Sequence, residues 1–427
     1  MRPTTHQNSI LCLLLTNVFS LSCLPVKRFQ DSLLDSAENS PENKAATSLN
    51  TSKDQMPAAR SCSDEEKNMI FTGNTPLDMP PCSLTFEGPE QVLSRSIQFV
   101  GSKVSGAVLD CKGGSIKPST KGYSVAIRSE FIASSWKTPQ YLTIRNCVIY
   151  GSLRAFGLGT NGEAKEVHDS SREPDHTARA QASAPSKLQI IGNRFVADEM
   201  TPLYLSPGVH DVLVESNTFT GESRSVSIYL DAESTQNRIL RNHFQIQGPR
   251  EVIALDGSSF NTISGNSFLG LNFGGVFVYR NCGQGGTVRH QEPTHNAMIN
   301  NYFEYNTESN QNPKPAIHLG SRHGNRKYCE DDSGFPWGSS VSNDDFADSS
   351  LVVDNQIKDL DPRKVIVNQG VNNTVFQNVS VAVASPSKSG CAYAEGGKSG
   401  LVFIKDSQVS TVNNKPMTCK DGTLIGN

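Results

Sequence analysis

Charge of one sign is the first thing this chain lacks. Its 427 residues carry 39 Lys and Arg against 42 Asp and Glu, a formal net charge of -3, and no basic block stands out. A polyanion binder concentrates positive charge on one surface, so composition gives no support to a nucleic-acid partner. The sequence also has no apolar run long enough to span a bilayer: the most apolar stretch, Ile10 to Ser22 ("ILCLLLTNVFSLS"), falls short. No Cys-x-x-Cys pair occurs, which argues against thiolate-bound zinc. No segment sustains a 3.6-residue apolar period, so no sizeable helical layer is expected.

What is present begins at the N-terminus. Arg2 ahead of the run Ile10 to Ser22 has the pattern of a secretory signal over residues 1–22. Ser20 and Ser22 lead into Cys23, so the expected cut falls before a cysteine that becomes lipid-modified; Ser20 is a departure from the usual aliphatic residue there, and a plain signal peptide is the alternative. Residues 23–60 are polar and read as a flexible tether. Both readings imply export, with any membrane contact made only through the lipid, and a monomer is expected. Of ten Cys, eight remain beyond Cys12 and Cys23. An even number suits an oxidising compartment, and neighbour pairing gives Cys62 with Cys82, Cys111 with Cys147, Cys282 with Cys329 and Cys391 with Cys419.

From Tyr141 onward a phrase recurs: aliphatic alternation, Asn, then an apolar residue two positions on. It reads "LTIRNCVI", "LQIIGNRF", "VLVESNTF", "NRILRNHF", "NTISGNSF", "NAMINNYF", "LVVDNQI" and "NTVFQNVSV". Its Asn residues are Asn146, Asn193, Asn217, Asn242, Asn266, Asn301, Asn355 and Asn378, and from Asn193 to Asn266 they step by 24, 25 and 24 residues. Each repeat holds a second strand-like run, such as "PLYLSPG", "SIYLDAES", "VIALDGSS", "VFVYRN" and "AIHLGSR". Short strands, Gly and Asn punctuation and a fixed period describe stacked coils that bury an apolar face only against each other.

Over Thr85 to Ser380 the chain resembles the right-handed parallel β-helix proteins of the pectin-lyase-like class. The resemblance implies an all-β, single-stranded solenoid over residues 61–384, with loop insertions and a C-terminal cap at 385–427 stapled by Cys391 and Cys419. It also implies that the recurring Asn forms an internal hydrogen-bonded ladder, which makes those residues structural. It leaves the reaction open, because the same coil carries lyases, hydrolases, epimerases and adhesins.

Regular spacing fails in three places, after Asn146, after Asn266 and after Asn301, and insertions in a solenoid often line one face. In the first, His168, Arg172, His176 and Arg179 read as solvated loop charge; "GLGTNG" from Gly157 to Gly162 lacks the helix a dinucleotide site requires; Trp337 in the third reads as a loop anchor. Aligning the second strands puts Leu205, Leu230, Leu255, Val278 and Leu319 inward. Tyr204, Tyr229, Ala254, Phe277 and His318 then form one outward row, and Ser206, Asp231, Asp256, Tyr279 and Gly320 the next, with Glu233 and Arg322 two positions beyond Asp231 and Gly320 of that second row. The stretch "GVFVYRNCGQGGTVRHQEPTHN" adds Tyr279 to the acidic row and loops back with Arg280, Arg289 and His290, pinned by Cys282.

Such a face suits an anionic, uronate-containing polysaccharide: aromatic rings stack on sugars and arginines clamp carboxylates. In β-elimination or C5-epimerisation, Arg280, Arg289 or Arg322 would neutralise the carboxylate while Tyr279, His290 or His318 move protons. Tyr204, Tyr229, Asp231, Glu233 and Asp256 would bind substrate, and the three carboxylates would be the ligands if Ca²⁺ takes part. Two alternatives stand beside this reading: a glycoside hydrolase with a carboxylate pair, or a non-catalytic glycan-binding adhesin.

Overall fold

In the computed structural model, the described residues are 58–86, 92–118, 122–160, 164–306, 312–320 and 347–381, together with the backbone of three later strands. They fall in one compact unit, Met56–Asn427. The expectations placed on the signal, the tether, Cys23, Arg322, Cys329, Trp337 and Cys391 lie outside the described residues.

Thirty short strands stack into three parallel sheets of ten, each strand hydrogen-bonded to its equivalents one coil before and one coil after. This is a parallel β-helix, and its period follows from the sequence. Every coil alternates inward aliphatic and outward polar residues, and none can satisfy its strand edges alone. The first sheet, which carries the site, runs from Leu77–Asp78 through Ile97–Val100, Tyr123–Arg128, Ser152–Phe156, Leu203–Leu205, Ile228–Leu230, Ile253–Asp256, Val276–Tyr279 and Ile317–Leu319 to Ile366–Asn368. Inside the third sheet, Phe195, Phe219, Phe244, Phe268 and Phe303 stack ring on ring with centroids 4.7 to 4.9 Å apart.

The Asn ladder is present with one change of membership. Asn193, Asn217, Asn242, Asn266, Asn301, Asn355 and Asn378 are joined in series, each accepting from the preceding Asn's backbone N–H at 2.8 to 3.0 Å. Asn146 is not a rung. Its place is taken by Cys147, whose N–H donates to Asn193 Oδ1 at 3.0 Å, while Asn146 sits one residue earlier in the left-handed region at φ 54°. Cys147 is bonded to Cys111, so a disulfide stands where the ladder ends; Cys62 is bonded to Cys82, and Cys282 is also disulfide-bonded.

Among the described residues, four α-helices accompany the coils. α1 (Asp64–Thr72) starts with a Ser63–Glu66 capping box and sets Ile70 into the core beside the first coil. α2 (Lys165–Ser171) and α3 (His176–Ser183) occupy the first insertion, where a solvated loop is expected, and α4 (Pro362–Val365) is a single turn. An antiparallel hairpin, Glu130–Ile132 with Ser135–Lys137, projects between the third and fourth strands of the first sheet. Three antiparallel strands, Val409–Val412, Lys415–Lys420 and Thr423–Gly426, end the described backbone. Among the described residues no helix is long and apolar enough to cross a membrane.

Candidate functional site

Strand register fixes which side chains share the outer face of the first sheet. Gln98, Ala126, Arg154, Tyr204, Tyr229, Ala254, Phe277 and His318 are successive partners in one row. In the next row Arg128 pairs with Phe156, and Asp256 with Tyr279. Asp231 follows Leu230 directly and donates its N–H to the Leu205 carbonyl, so Asp231, Asp256 and Tyr279 do occupy neighbouring rungs.

Their surroundings differ from the open wall expected of them. Asp231, Asp256, Tyr279, Arg280, Arg289 and Glu233 are each 5% exposed or less. The cause is the pair α2 and α3, folded down over this half of the sheet together with the loop after Tyr279. Arg289 lies between the two aspartates, its Nη1 2.5 Å from Asp256 and its Nη2 3.4 Å from Asp231. Tyr204 donates to Asp231, and Tyr229 donates to Asp256 at 2.5 Å. Burial, then the adjacent carboxylate, pushes both phenols well above their ordinary pKa, which keeps them proton donors. Burial also pushes the Asp231 carboxyl up, against the pull of Arg289.

The remaining expected residues are spoken for in the same way. Tyr279 donates to Glu251 at 2.8 Å and accepts from Arg250 at 2.8 Å. Arg280 donates to the His290 carbonyl at 3.0 Å, and His290 Nε2 lies 2.9 Å from the Ser171 carbonyl. Glu233 accepts from Thr177 Oγ1 at 2.5 Å and from the His290 and Gln291 N–H groups at 2.7 and 3.1 Å, which makes it a pin between loop and insertion. Among the described residues, Asp231, Glu233 and Asp256 do not converge as a group able to hold one ion; the cation between the aspartates is Arg289. A polysaccharide therefore meets none of Tyr279, Arg280, Arg289, Asp231, Glu233 or Asp256 in this closed arrangement. His318 is half-buried, edge-on to Phe277 at 5.1 Å with Nε2 3.2 Å from Gln369 Oε1. It lies five rungs beyond Arg154, roughly 24 Å at ~4.8 Å per rung.

The accessible part of the same face lies on the earlier coils. A cleft of about 510 Å³ is lined by Gln98, Tyr123, Ala126, Arg128, Phe156 and the hairpin aromatics Phe131 and Trp136. Phe131 and Trp136 are in contact, centroids 5.2 Å apart, and Tyr123 packs on Phe156 at 5.4 Å. Arg154, next to Ala126 in the row, has its guanidinium 4.5 Å from the centre of the Tyr123 ring and 5.1 Å from that of Tyr204. No ion pair engages it among the described residues, and its Nε is a buried donor with no acceptor there. Aromatic faces hold such a cation while leaving its in-plane donors for a ligand. The alternation in "SLRAF", Ser152 to Phe156, places Arg154 and Phe156 outward in register with Tyr204 and Ser206, a signal that extending the alignment one coil back reveals.

Residues 131–303 match the family model for the right-handed β-helix region. A search of curated proteins by sequence gave no match. Similar solved structures include an alginate lyase from Paenibacillus sp. str. FPU-7, at 10% identity and TM-score 0.28 over 68% of this chain and 87% of that one. Others are PfbA, a surface adhesin of Streptococcus pneumoniae, at 16% and 0.31 over 81% and 66%, and the Azotobacter vinelandii mannuronan C-5 epimerase AlgE6 A-module, at 11% and 0.29 over 75% and 96%. Similarity at this level assigns no activity.

Proposed function

We propose that the protein is an exported carbohydrate-active β-helix that takes an anionic, uronate-containing polysaccharide into the cleft on the first sheet. The observation that carries this reading is Arg154: a guanidinium held between Tyr123 and Tyr204 with no carboxylate of its own among the described residues. An unmatched cation beside a row of ring faces is complementary to a sugar that bears a carboxylate. Arg128 on the cleft wall, paired only loosely with Asp78 at 3.9 Å, supplies a second positive group. Export agrees with the Cys62–Cys82 and Cys111–Cys147 disulfides, which persist in oxidising compartments. The test is calorimetric titration with uronate-containing and neutral polysaccharides. Uronate polymers should bind, and Arg154→Met should weaken them at least ~10-fold, the scale of one lost charge-assisted hydrogen-bond pair. Equal affinity for neutral polymers, or indifference to Arg154→Met, overturns the proposal.

A second reading, proton abstraction leading to β-elimination or epimerisation, is favoured by one further distance. The Tyr123 hydroxyl lies 3.5 Å from Arg154 Nη1, so a phenol oxygen stands beside the group that would neutralise the carboxylate. In that reaction the Tyr123 oxygen, having passed its own proton to water, takes the proton next to the carboxylate, and either the glycosidic oxygen leaves with its electron pair and takes a proton from water or water returns a proton to the carbon on the other face. Growth of unsaturated-uronate absorbance, abolished by Tyr123→Phe with binding retained, is the expected signature of elimination; altered uronate stereochemistry without it marks epimerisation. If neither appears, the cleft binds without reacting. The hydrolase alternative is disfavoured because its carboxylates are buried around Arg289.

A further inference from the structure

The insertion that seals Asp231, Asp256 and Arg289 is not part of the main core. Its apolar residues, Leu158, Val167 and Ala180 with Trp136 and Ala164 against them, form a separate small cluster. Apart from the close approach of the Ala180 backbone to Gly208, the rest of its contact with the coils is carried by polar groups: Ser171 Oγ accepts from the Val288 N–H at 3.0 Å, Thr177 donates to Glu233, and Gln181 donates to the Glu233 carbonyl at 3.0 Å. At the middle of this contact two imidazoles meet. His176 of α3, 2% exposed, lies edge-on to His290 of the loop with ring centres 5.0 Å apart. His176 Nδ1 is 3.0 Å from Ser170 Oγ. The charged groups acting on His176 are Asp175 and Arg179 from its own helix, Glu233 from the turn after Ile228–Leu230, and His290 from the loop.

We propose that α2 and α3 are a releasable cover, that acidification opens it through the His176–His290 contact, and that opening exposes Asp231, Arg289 and Asp256 as a second polar site for a hydroxyl-rich chain. The site continues from the cleft: Arg154 stacks on Tyr204, and Tyr204 donates to Asp231. Two carboxylates, one guanidinium and two phenols, once wetted, present alternating acceptors and donors of the kind that sugar hydroxyls satisfy. Sealed, the same groups are costly, since each ion gives up its hydration on burial and the attraction between them repays that loss only in part. Burial is also the main reason His176 resists protonation while the cover is closed. The closed form is favoured fully above pH ~6.5, the ordinary imidazole value, and loses its advantage as pH falls below it, because the open form takes up a proton that the closed form refuses.

The test is hydrogen exchange followed by mass spectrometry on the full-length protein without any glycan, with protection corrected for intrinsic rates from pH 7.5 to 4.5. Amides of 165–183 should lose protection below pH ~6.5 by up to about tenfold per pH unit, the response to uptake of one proton, while strands such as Arg194–Asp198 stay protected. His176→Phe, which keeps a ring in the contact and cannot be protonated, should flatten that response. Protection of 165–183 that is constant with pH, or lost together with the strands, overturns the proposal, as does an unchanged pH response in the variant. On the unmodified protein, the NMR titration of the His176 ring should share its midpoint with the exchange profile; a titration unrelated to exchange overturns it too. Because no ligand is present, failure here leaves the reading of the cleft untouched, and the reverse holds.

Discussion

At the scale of single residues, identical-looking asparagines carry different loads. Asn242 accepts from the Asn217 N–H and Nδ2 at 2.9 and 3.0 Å and donates to the Val214 carbonyl at 2.9 Å, all of it buried. Asn242→Leu strands each of those partners, and at about 1–3 kcal/mol per unsatisfied buried group the loss should be at least ~3 kcal/mol, read as a lower denaturation midpoint in urea. Asn146 is exposed at a left-handed φ of 54°, with one side-chain bond to Asp110 at 3.1 Å. Asn146→Gly should cost under ~1 kcal/mol in the same measurement, because glycine accepts that backbone freely. The two roles share the spacing visible in sequence, and only the register of Cys147 against Asn193 separates them. A second ladder was equally within reach: the Asn that opens "NRIL", "NTIS" and "NAMI" is Asn237, Asn261 and Asn296, linked N–H to Oδ1 at 3.0 Å. Alignment on the apolar residues that follow shows it. Arg289 is the costliest residue of the buried cluster to lose. Arg289→Met takes the guanidinium from between buried Asp231 and Asp256, a loss of about 3–5 kcal/mol at pH 7. The variant's carboxyls should then have raised folded pKa values, so its stability relative to the parent should recover as pH falls toward them and shrink as pH rises. A deficit that does not narrow on acidification would remove Arg289 from that role.

At the scale of elements, the strands were legible and the insertion was not, for one physical reason. A strand here buries alternate residues against identical neighbours, so its pattern is written in its own sequence. α2 and α3 bury only Val167, Ala180, His176 and the serines Ser170, Ser171 and Ser183 against a surface made elsewhere, so nothing in "KEVHDSS" or "HTARAQAS" shows an apolar stripe. Solvated loop charge was therefore the natural reading of His176, which the structure instead buries. The same gap explains the acidic row: alternation places Asp231 and Asp256 outward from the coil, but it says nothing of what lies on top. Close approach of the cover is marked by Gly208, where a Cβ would stand 2.2 Å from the Ala180 backbone at a φ of +82°. Gly208→Val should lift α3 and produce at pH 7.5 the exchange of 165–183 expected of the wild type in acid. Unaltered protection of α3 in that variant would show that the contact at Gly208 does not secure it.

At the scale of the whole molecule, two means of fastening coils divide the stack. From Asn193 to Asn378 every coil is tied to the next through the Asn ladder, whereas the coils before it are closed by Cys62–Cys82 and Cys111–Cys147, spanning 20 and 36 residues. In a solenoid each coil contacts only its neighbours, so local fastening sets local stability and the ends need not melt together. Loop-closure entropy assigns the two disulfides about 3 and about 4 kcal/mol. Reduction should therefore loosen the coils between Cys62 and Cys147, which carry Tyr123, Arg128 and the hairpin with Phe131 and Trp136, while the ladder coils, apart from the loop that carries the disulfide-bonded Cys282, stay intact. In hydrogen exchange under reducing conditions, strands such as Tyr123–Arg128 should lose protection at a temperature where Thr218–Glu222 and His243–Gln247 keep theirs. Affinity for the uronate polymer should fall in step with that loss, because the cleft belongs to the loosened half. A single cooperative loss across both halves would mean that coupling between adjacent coils exceeds the difference in their fastenings, and that the stack behaves as one unit.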